Sequence, residues 1–186
     1  KKKLSLTPGF PTVALVDFGL TLTLPKDQAA TTGLDALSQA IEAYWSIYSS
    51  PLSDIHAERA IKLVMENLAN SQKGQKKSRE MMSLASLESG LAFSQTKTTA
   101  VHSVSYPLSI HYDIPHGFAC ALTLPHFFPY NYGVTEKDCL DKRGADFVKG
   151  RMEELAGFLG VKDAEQAKEK ILGLMKIIEA PVKADF

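Results

Sequence analysis

The sequence predicts a mostly α fold, a helical bundle with a short β or extended lead-in, and three observations carry that expectation. From residue 27 onward, apolar side chains recur at intervals of three and four. The only strand-like run, Thr12-Val13-Ala14-Leu15-Val16-Asp17, sits at the start, bounded by Pro11 and Gly19. No Gly-x-Gly-x-x-Gly and no Gly-rich loop after a strand occurs, so any nucleotide must be held chiefly by something other than these residues.

In chain order, Leu20-Thr21-Leu22-Thr23-Leu24-Pro25 reads as an extended segment ending at a proline. A first helix is expected over about 27–47, with Leu34, Leu37, Ala40, Ile41 and Tyr44 as its apolar stripe. Ser53-Asp54 reads as the cap of a second helix carrying Ile55, Ala57, Ala60, Ile61, Leu63, Val64 and Leu68. After a turn at 70–74, a third helix is expected over about 76–94 with Met81, Met82, Leu84, Ala85, Leu87, Leu91 and Ala92. Gly90 inside it reads as a point of close packing. A fourth helix starts near Thr98-Thr99 and reaches Pro107, whose missing N–H predicts a kink or a restart. An apolar stretch follows from Phe118 to Phe128, then amphipathic helices over about 136–158 and 163–179, closed by Pro181. With no repeat and no low-complexity linker, the chain divides into an extended segment, 1–26, and a helical domain, 27–186. It opens without Met on a basic run, which reads as the middle of a longer polypeptide.

Lys+Arg and Asp+Glu both total 21, so no overall field favours nucleic acid or a membrane surface. Lys1-Lys2-Lys3 and Lys76-Lys77 read as solvated surface, and no apolar stretch approaches membrane-spanning length. Cys120, in Phe118-Ala119-Cys120-Ala121-Leu122, reads as a buried, reduced thiol, and Cys139 has no metal-type spacing to it; a cytoplasmic setting fits both. Two clusters could do chemistry. Asp35 and Gln39, four apart, project from one helical face, and His102 with His116, the latter in a Pro-His-Gly turn, could complete a divalent-metal site. On residue chemistry alone, the plainer reading of the first pair is a helix N-terminal acid with a polar neighbour. The plainer readings of the histidines are a capping or core residue for His102 and a turn residue for His116. His56, His111 and His126 lie outside the pattern.

Several motifs together point to a family. They are Val16-Asp17-Phe18-Gly19-Leu20-Thr21-Leu22-Thr23-Leu24-Pro25, Thr32-Gly33-Leu34-Asp35-Ala36-Leu37-Ser38, Ala40-Ile41-Glu42-Ala43-Tyr44, Gly90-Leu91-Ala92-Phe93-Ser94, and Ile114-Pro115-His116-Gly117. In this order and spacing they resemble the C-terminal domain of the iron-containing (group III) alcohol dehydrogenases, a dehydroquinate synthase-like helical fold, over nearly the whole chain. The resemblance implies a Rossmann-like nucleotide-binding domain elsewhere in the protein, a helical domain incomplete at its C-terminus here, and no turnover by this polypeptide alone. It also implies Fe2+ (or Zn2+ or Mn2+) and NAD(P) as cofactors, a small alcohol or aldehyde as substrate, and a homo-oligomer.

Matched position by position, the family's metal ligands fall on Asp35, Gln39, His102 and His116, with glutamine where imidazole is usual. The histidine usual near the reacting alcohol is Tyr106 here. Leu20, Thr21 and Leu24 would skirt the cofactor cleft, or else form a plain linker; Phe93 would face the substrate, or else pack in the core. Thr96-Lys97-Thr98-Thr99-Ala100 and Ser105-Tyr106-Pro107-Leu108 are also similar to the subgroup that reduces phosphonoacetaldehyde, which implies that Lys97 pairs with a phosphonate. Three readings follow: a metal-dependent NAD(P)-linked alcohol dehydrogenase, a degenerate relative with a role only in packing or assembly, or a glycerol dehydrogenase-like zinc enzyme needing only Asp35, His102 and His116.

Overall fold

The computed structural model of the chain describes residues 12–184; the Lys1-Lys2-Lys3 run lies outside them. Among the described residues there are seven α-helices and no strand. They are α1 (Lys26–Trp45), α2 (Pro51–Gln72), α3 (Lys76–Thr96), α4 (Ala100–His111), α5 (His116–Tyr132), α6 (Ala145–Phe158) and α7 (Ala164–Ile177).

α1 is the central element. It packs against the α2–α3 hairpin on one side and α5 on the other, and its expected stripe is at most 5% exposed. Ala29, Ala30, Ala36 and Ala43 are buried as well, so α1 is apolar over most of its circumference, as a core helix must be. α4 and α7 cover α5, and α6 closes over the end of α1. There Arg151 caps the α1 C-terminus: its Nη2 donates to the Tyr44 carbonyl at 2.6 Å and to Asp54 Oδ1 at 2.6 Å. No helix of the described residues is long and apolar enough to cross a membrane.

Several expected elements are corrected. Residues 13–17 form no strand, because β-prone side chains do not make a ladder without a neighbouring chain to bond. The segment after them is a 3-10 turn, Phe18–Thr21, capped by the Asp17 carboxylate, rather than an extended run. Ser50 caps α2, with Pro51 at its first position and Ser53 as the reciprocal partner of the capping box. Ile55, Leu87 and Leu91 are exposed, not core. α4 runs on through Pro107 to His111 without restarting. Residues 136–144 are turns, not helix: Asp138 accepts from the Thr135 backbone and side chain, Asp141 binds Arg143, and Gly144 has φ 94°.

Gly90 has open space where a Cβ would stand, so close packing does not explain it. Gly117 is the position that close packing does require. A Cβ there would sit 1.7 Å from the Thr31 carbonyl oxygen on α1. The Thr31 hydroxyl also accepts from the Phe118 N–H at 3.2 Å, capping the first turn of α5 from outside. Opposite outcomes are expected for two identical changes. Gly117→Ala should cost about 3 kcal/mol, since backbone cannot yield as a side chain can. Gly90→Ala should add about 0.5–1 kcal/mol of helix propensity. Thermal melting of both variants checks this, and a Gly117→Ala protein melting with the wild type would refute the contact.

Candidate metal centre

Three helices bring four metal-type donors together. On α1, Asp35 and Glu42 lie seven apart with Gln39 between them, all on one face. α4 supplies His102, Ser105 and Tyr106, and the first turn of α5 supplies His116 and Cys120, four apart. Asp35 Oδ1 lies 3.2 Å from His102 Nε2 and 3.7 Å from His116 Nε2. Cys120 Sγ lies 3.8 Å from His116 Nε2. Donor atoms of Asp35, His102, His116 and Cys120 all fall within 4.8 Å of one another. The two imidazoles meet edge to face, their centroids 5.3 Å apart.

Behind this cluster stands Glu42, fully buried on α1. One of its oxygens bonds His102 Nδ1, which fixes that nitrogen as the protonated one and leaves Nε2 facing Asp35. Its other oxygen accepts from the Thr99 N–H and hydroxyl, both at 2.7 Å, and from the His102 N–H at 3.4 Å. Glu42 therefore caps the start of α4 as well as orienting the imidazole that α4 carries. Trp45 Nε1 completes the arrangement by donating to the Thr99 hydroxyl at 2.9 Å.

Of the other residues singled out in the sequence, Gln39 touches the cluster only through its amide. Its Nε2 donates to Asp35 Oδ2 at 3.0 Å, and its oxygen accepts from the Ser89 hydroxyl at 3.1 Å. The orientation is chemically fixed, because a carboxylate can only accept. Tyr106 lies beside the cluster, its ring stacked on His116 at 6.0 Å between centroids and 10° between planes. Lys97 is exposed at the end of α3, two residues before Thr99. Phe93 packs half-buried against the core one turn before it. Leu20 is exposed. Thr21 and Leu24 line a separate cavity of about 260 Å³, where the buried Arg79 guanidinium donates to both their carbonyls. None of these last five enters the donor cluster. Sequence reasoning missed Cys120 and Glu42 as site residues. The signals available were four residues after His116 and seven after Asp35, both same-face helical spacings.

The electrostatics favour a cation. Burial opposes charge on His102, yet its hydrogen bonds to Asp35, Cys120 and Glu42 outweigh burial and push its pKa up to about 12. The Cys120 contact, against burial, also raises His116. Burial disfavours the Cys120 thiolate, but contacts with His102 and His116 hold the thiol below its ordinary pKa. Protons on the imidazoles thus occupy the place a metal ion would take. Carboxylate, imidazole and thiol donors around one point fit a divalent transition ion, and Glu42 supplies the outer carboxylate that such imidazoles need. No phosphate cradle occurs among the described residues.

Residues 29–183 match the Fe-containing alcohol dehydrogenase family, C-terminal region. The chain is 42% identical over 173 residues to 1,3-propanediol dehydrogenase of Citrobacter freundii, covering 92% of the chain and 43% of that protein. It is 36% identical over 171 residues to phosphonoacetaldehyde reductase of Streptomyces viridochromogenes, covering 90% and 43%. The crystal structure of sulfoacetaldehyde reductase from Bifidobacterium kashiwanohense in complex with NAD+ superposes with a TM-score of 0.82 at 38% identity, covering 93% of the chain and 43% of that one. The chain thus spans less than half the length of these relatives.

A metal ion entering this cluster must displace protons. Because His102 holds its proton up to about 12, the metal-free site is protonated across pH 6–9. Affinity for Zn2+ should therefore rise about tenfold per pH unit for each proton displaced, with matching proton release in weakly buffered titration. Glu42→Gln should weaken Zn2+ binding about 10–100-fold. Affinity independent of pH over that range would contradict the charge state assigned here.

Proposed function

We propose, from the premise that this chain belongs to the Fe-containing alcohol dehydrogenase family, that its protein is a metal-dependent, NAD(P)-linked reductase of a small aldehyde bearing an anionic tail. The observation carrying this reading is the convergence of Asp35, His102 and His116 from three helices on one point. When bound there, a divalent ion supplies Lewis-acid polarisation of the carbonyl oxygen, and the dinucleotide supplies the hydride.

The chain's own side chains do the rest. Asp35 contributes anionic charge and the two histidines neutral nitrogens, with Glu42 holding His102 in the required tautomer. Tyr106, stacked on His116, donates a proton to the product oxygen as a general acid. Lys97 binds the anionic tail. Its ammonium is exposed and makes no ion pair with a described residue, and phosphonate and sulfonate tails occur in the substrates named for two relatives. Phe93 flanks the substrate. Thr21 and Leu24, with Leu20 at the rim, form one wall of the cofactor cleft, held in shape by Arg79. A nucleotide-binding domain outside residues 1–186 holds most of the dinucleotide. The working protein is a homo-oligomer in a reducing cytoplasm, a setting that suits the free Cys120 and Cys139.

Lys97 also carries backbone strain, with φ 61° and ψ 171°, a region that only glycine enters freely.

Purified full-length protein should contain one metal equivalent, lost in Asp35→Ala and His116→Ala together with aldehyde-dependent NAD(P)H oxidation. Tyr106→Phe should lower kcat about 100-fold or more while metal content is unchanged. Wild-type protein with bound metal but no reductase activity on any short aldehyde would defeat the proposal. Lys97→Ala should raise KM for a phosphonate or sulfonate aldehyde about 10–100-fold and leave a neutral aldehyde unaffected. Lys97→Gly should share that defect yet melt higher, by about 1 kcal/mol of relieved strain. Equal effects on both substrates would remove Lys97 from tail recognition.

A further inference from the structure

The fourth ligand is where the sequence pattern and the geometry part. The position four after Asp35 is Gln39, but both ends of its amide are committed elsewhere. The NH2 lies 3.0 Å from Asp35 Oδ2, and the oxygen accepts from Ser89 at 3.1 Å. Rotating the amide to present its oxygen would set it against a carboxylate oxygen, which can only accept. Asp35 is thereby divided between two tasks: Oδ2 is held by Gln39, while Oδ1 faces both imidazoles at 3.2 and 3.7 Å.

Cys120 fills the remaining direction. It lies on α5 four residues after His116, so both project from one face, and the Gly117–Thr31 contact presses that face toward Asp35. Its side chain is fully buried, yet its sulfur meets His116 Nε2 at 3.8 Å rather than carbon alone. A tetrahedral ion with nitrogen or oxygen at about 2.1 Å and sulfur at about 2.3 Å sets its donors about 3.3–3.6 Å apart. Three of the separations here are 3.2, 3.7 and 3.8 Å and the others lie within 4.8 Å, so the donors must close by up to about 1 Å onto such a centre.

We propose that Cys120 is the fourth protein ligand of the metal, in the role the sequence pattern gives to Gln39, completing an Asp35–His102–His116–Cys120 set. This rests on the metalloenzyme reading above. As the metal–sulfur bond forms, the thiol proton passes to solvent, with no change of oxidation state. A thiolate among imidazole donors suits Zn2+, and Co2+ takes the same tetrahedral donors. Gln39 is a positioning residue that holds Asp35 so one oxygen faces the ion. Asp35 and His116 remain 26% and 39% exposed at their side chains, so the centre is open to substrate on their flank.

Cobalt substitution of the full-length protein tests this, because a thiolate ligand gives an intense near-ultraviolet sulfur-to-cobalt charge-transfer band that oxygen and nitrogen ligands do not. Wild type should bind one Co2+ and show the band. Cys120→Ser should lose the band and bind Zn2+ at least about tenfold more weakly. Gln39→Ala and Cys139→Ser should keep the band. One cobalt bound through Asp35 with no band in the wild type, or a band surviving Cys120→Ser, overturns the assignment while leaving the metalloenzyme intact. No cobalt uptake in wild type or any variant overturns both. The wild-type spectrum decides the matter even if Cys120→Ser fails to fold.

Discussion

The contact on which the rest depends is backbone against backbone, where Gly117 of α5 meets the Thr31 carbonyl of α1. A helix pair normally stands 8–10 Å apart because side chains hold it there. Removing one Cβ lets the α5 N-terminus approach α1 closely enough for His116 and Cys120 to reach a carboxylate one turn beyond Thr31. The Thr31 hydroxyl, by capping Phe118 N–H, also fixes the rotation of α5 about its axis. Distance and rotation together decide which face of α5 sees Asp35.

The second constraint is the burial of Glu42. A carboxylate with no exposure is costly unless every lone pair is met, and here two backbone N–H groups, a hydroxyl and an imidazole meet them. The same residue thus starts α4 and sets the tautomer of His102. Because Asp35 and Glu42 share α1, and α1 is enclosed on most sides, the ligand and its outer support move as one rigid unit.

Much of the fold was legible because helical burial repeats at 3.6 residues. Leu34, Leu37, Ala40, Ile41 and Tyr44 could be read as one stripe, and they are one. What failed was whatever depends on a partner rather than a period. Thr12–Asp17 has strand propensity but no neighbour to bond. Residues 136–144 set Cys139 and Leu140 among charged residues, a pattern open to a helix, but local Asp–Thr and Asp–Arg bonds win. Asp35, His102 and His116 were recognisable by type and by family motif. Cys120 was not, because a cysteine in an apolar run reads as a small hydrophobe until the helix it sits on is oriented. Glu42 was hidden for the same reason, as a charged residue whose seven-residue offset from Asp35 gains meaning only once α4 lies across it.

α4 has a consequence of its own. It is only twelve residues long, carries Pro107 past its middle, and takes its starting cap from α1 rather than from its own side chains. A helix that short has little stability in isolation. Opening it would uncover Val101 and strip the buried Glu42 carboxylate of its partners, so α4 holds its place through α1 and α5 rather than through itself. One buried carboxylate thus ties the start of α4 to the presence of His102 at the centre, so that weakening the cap would loosen helix and ligand together.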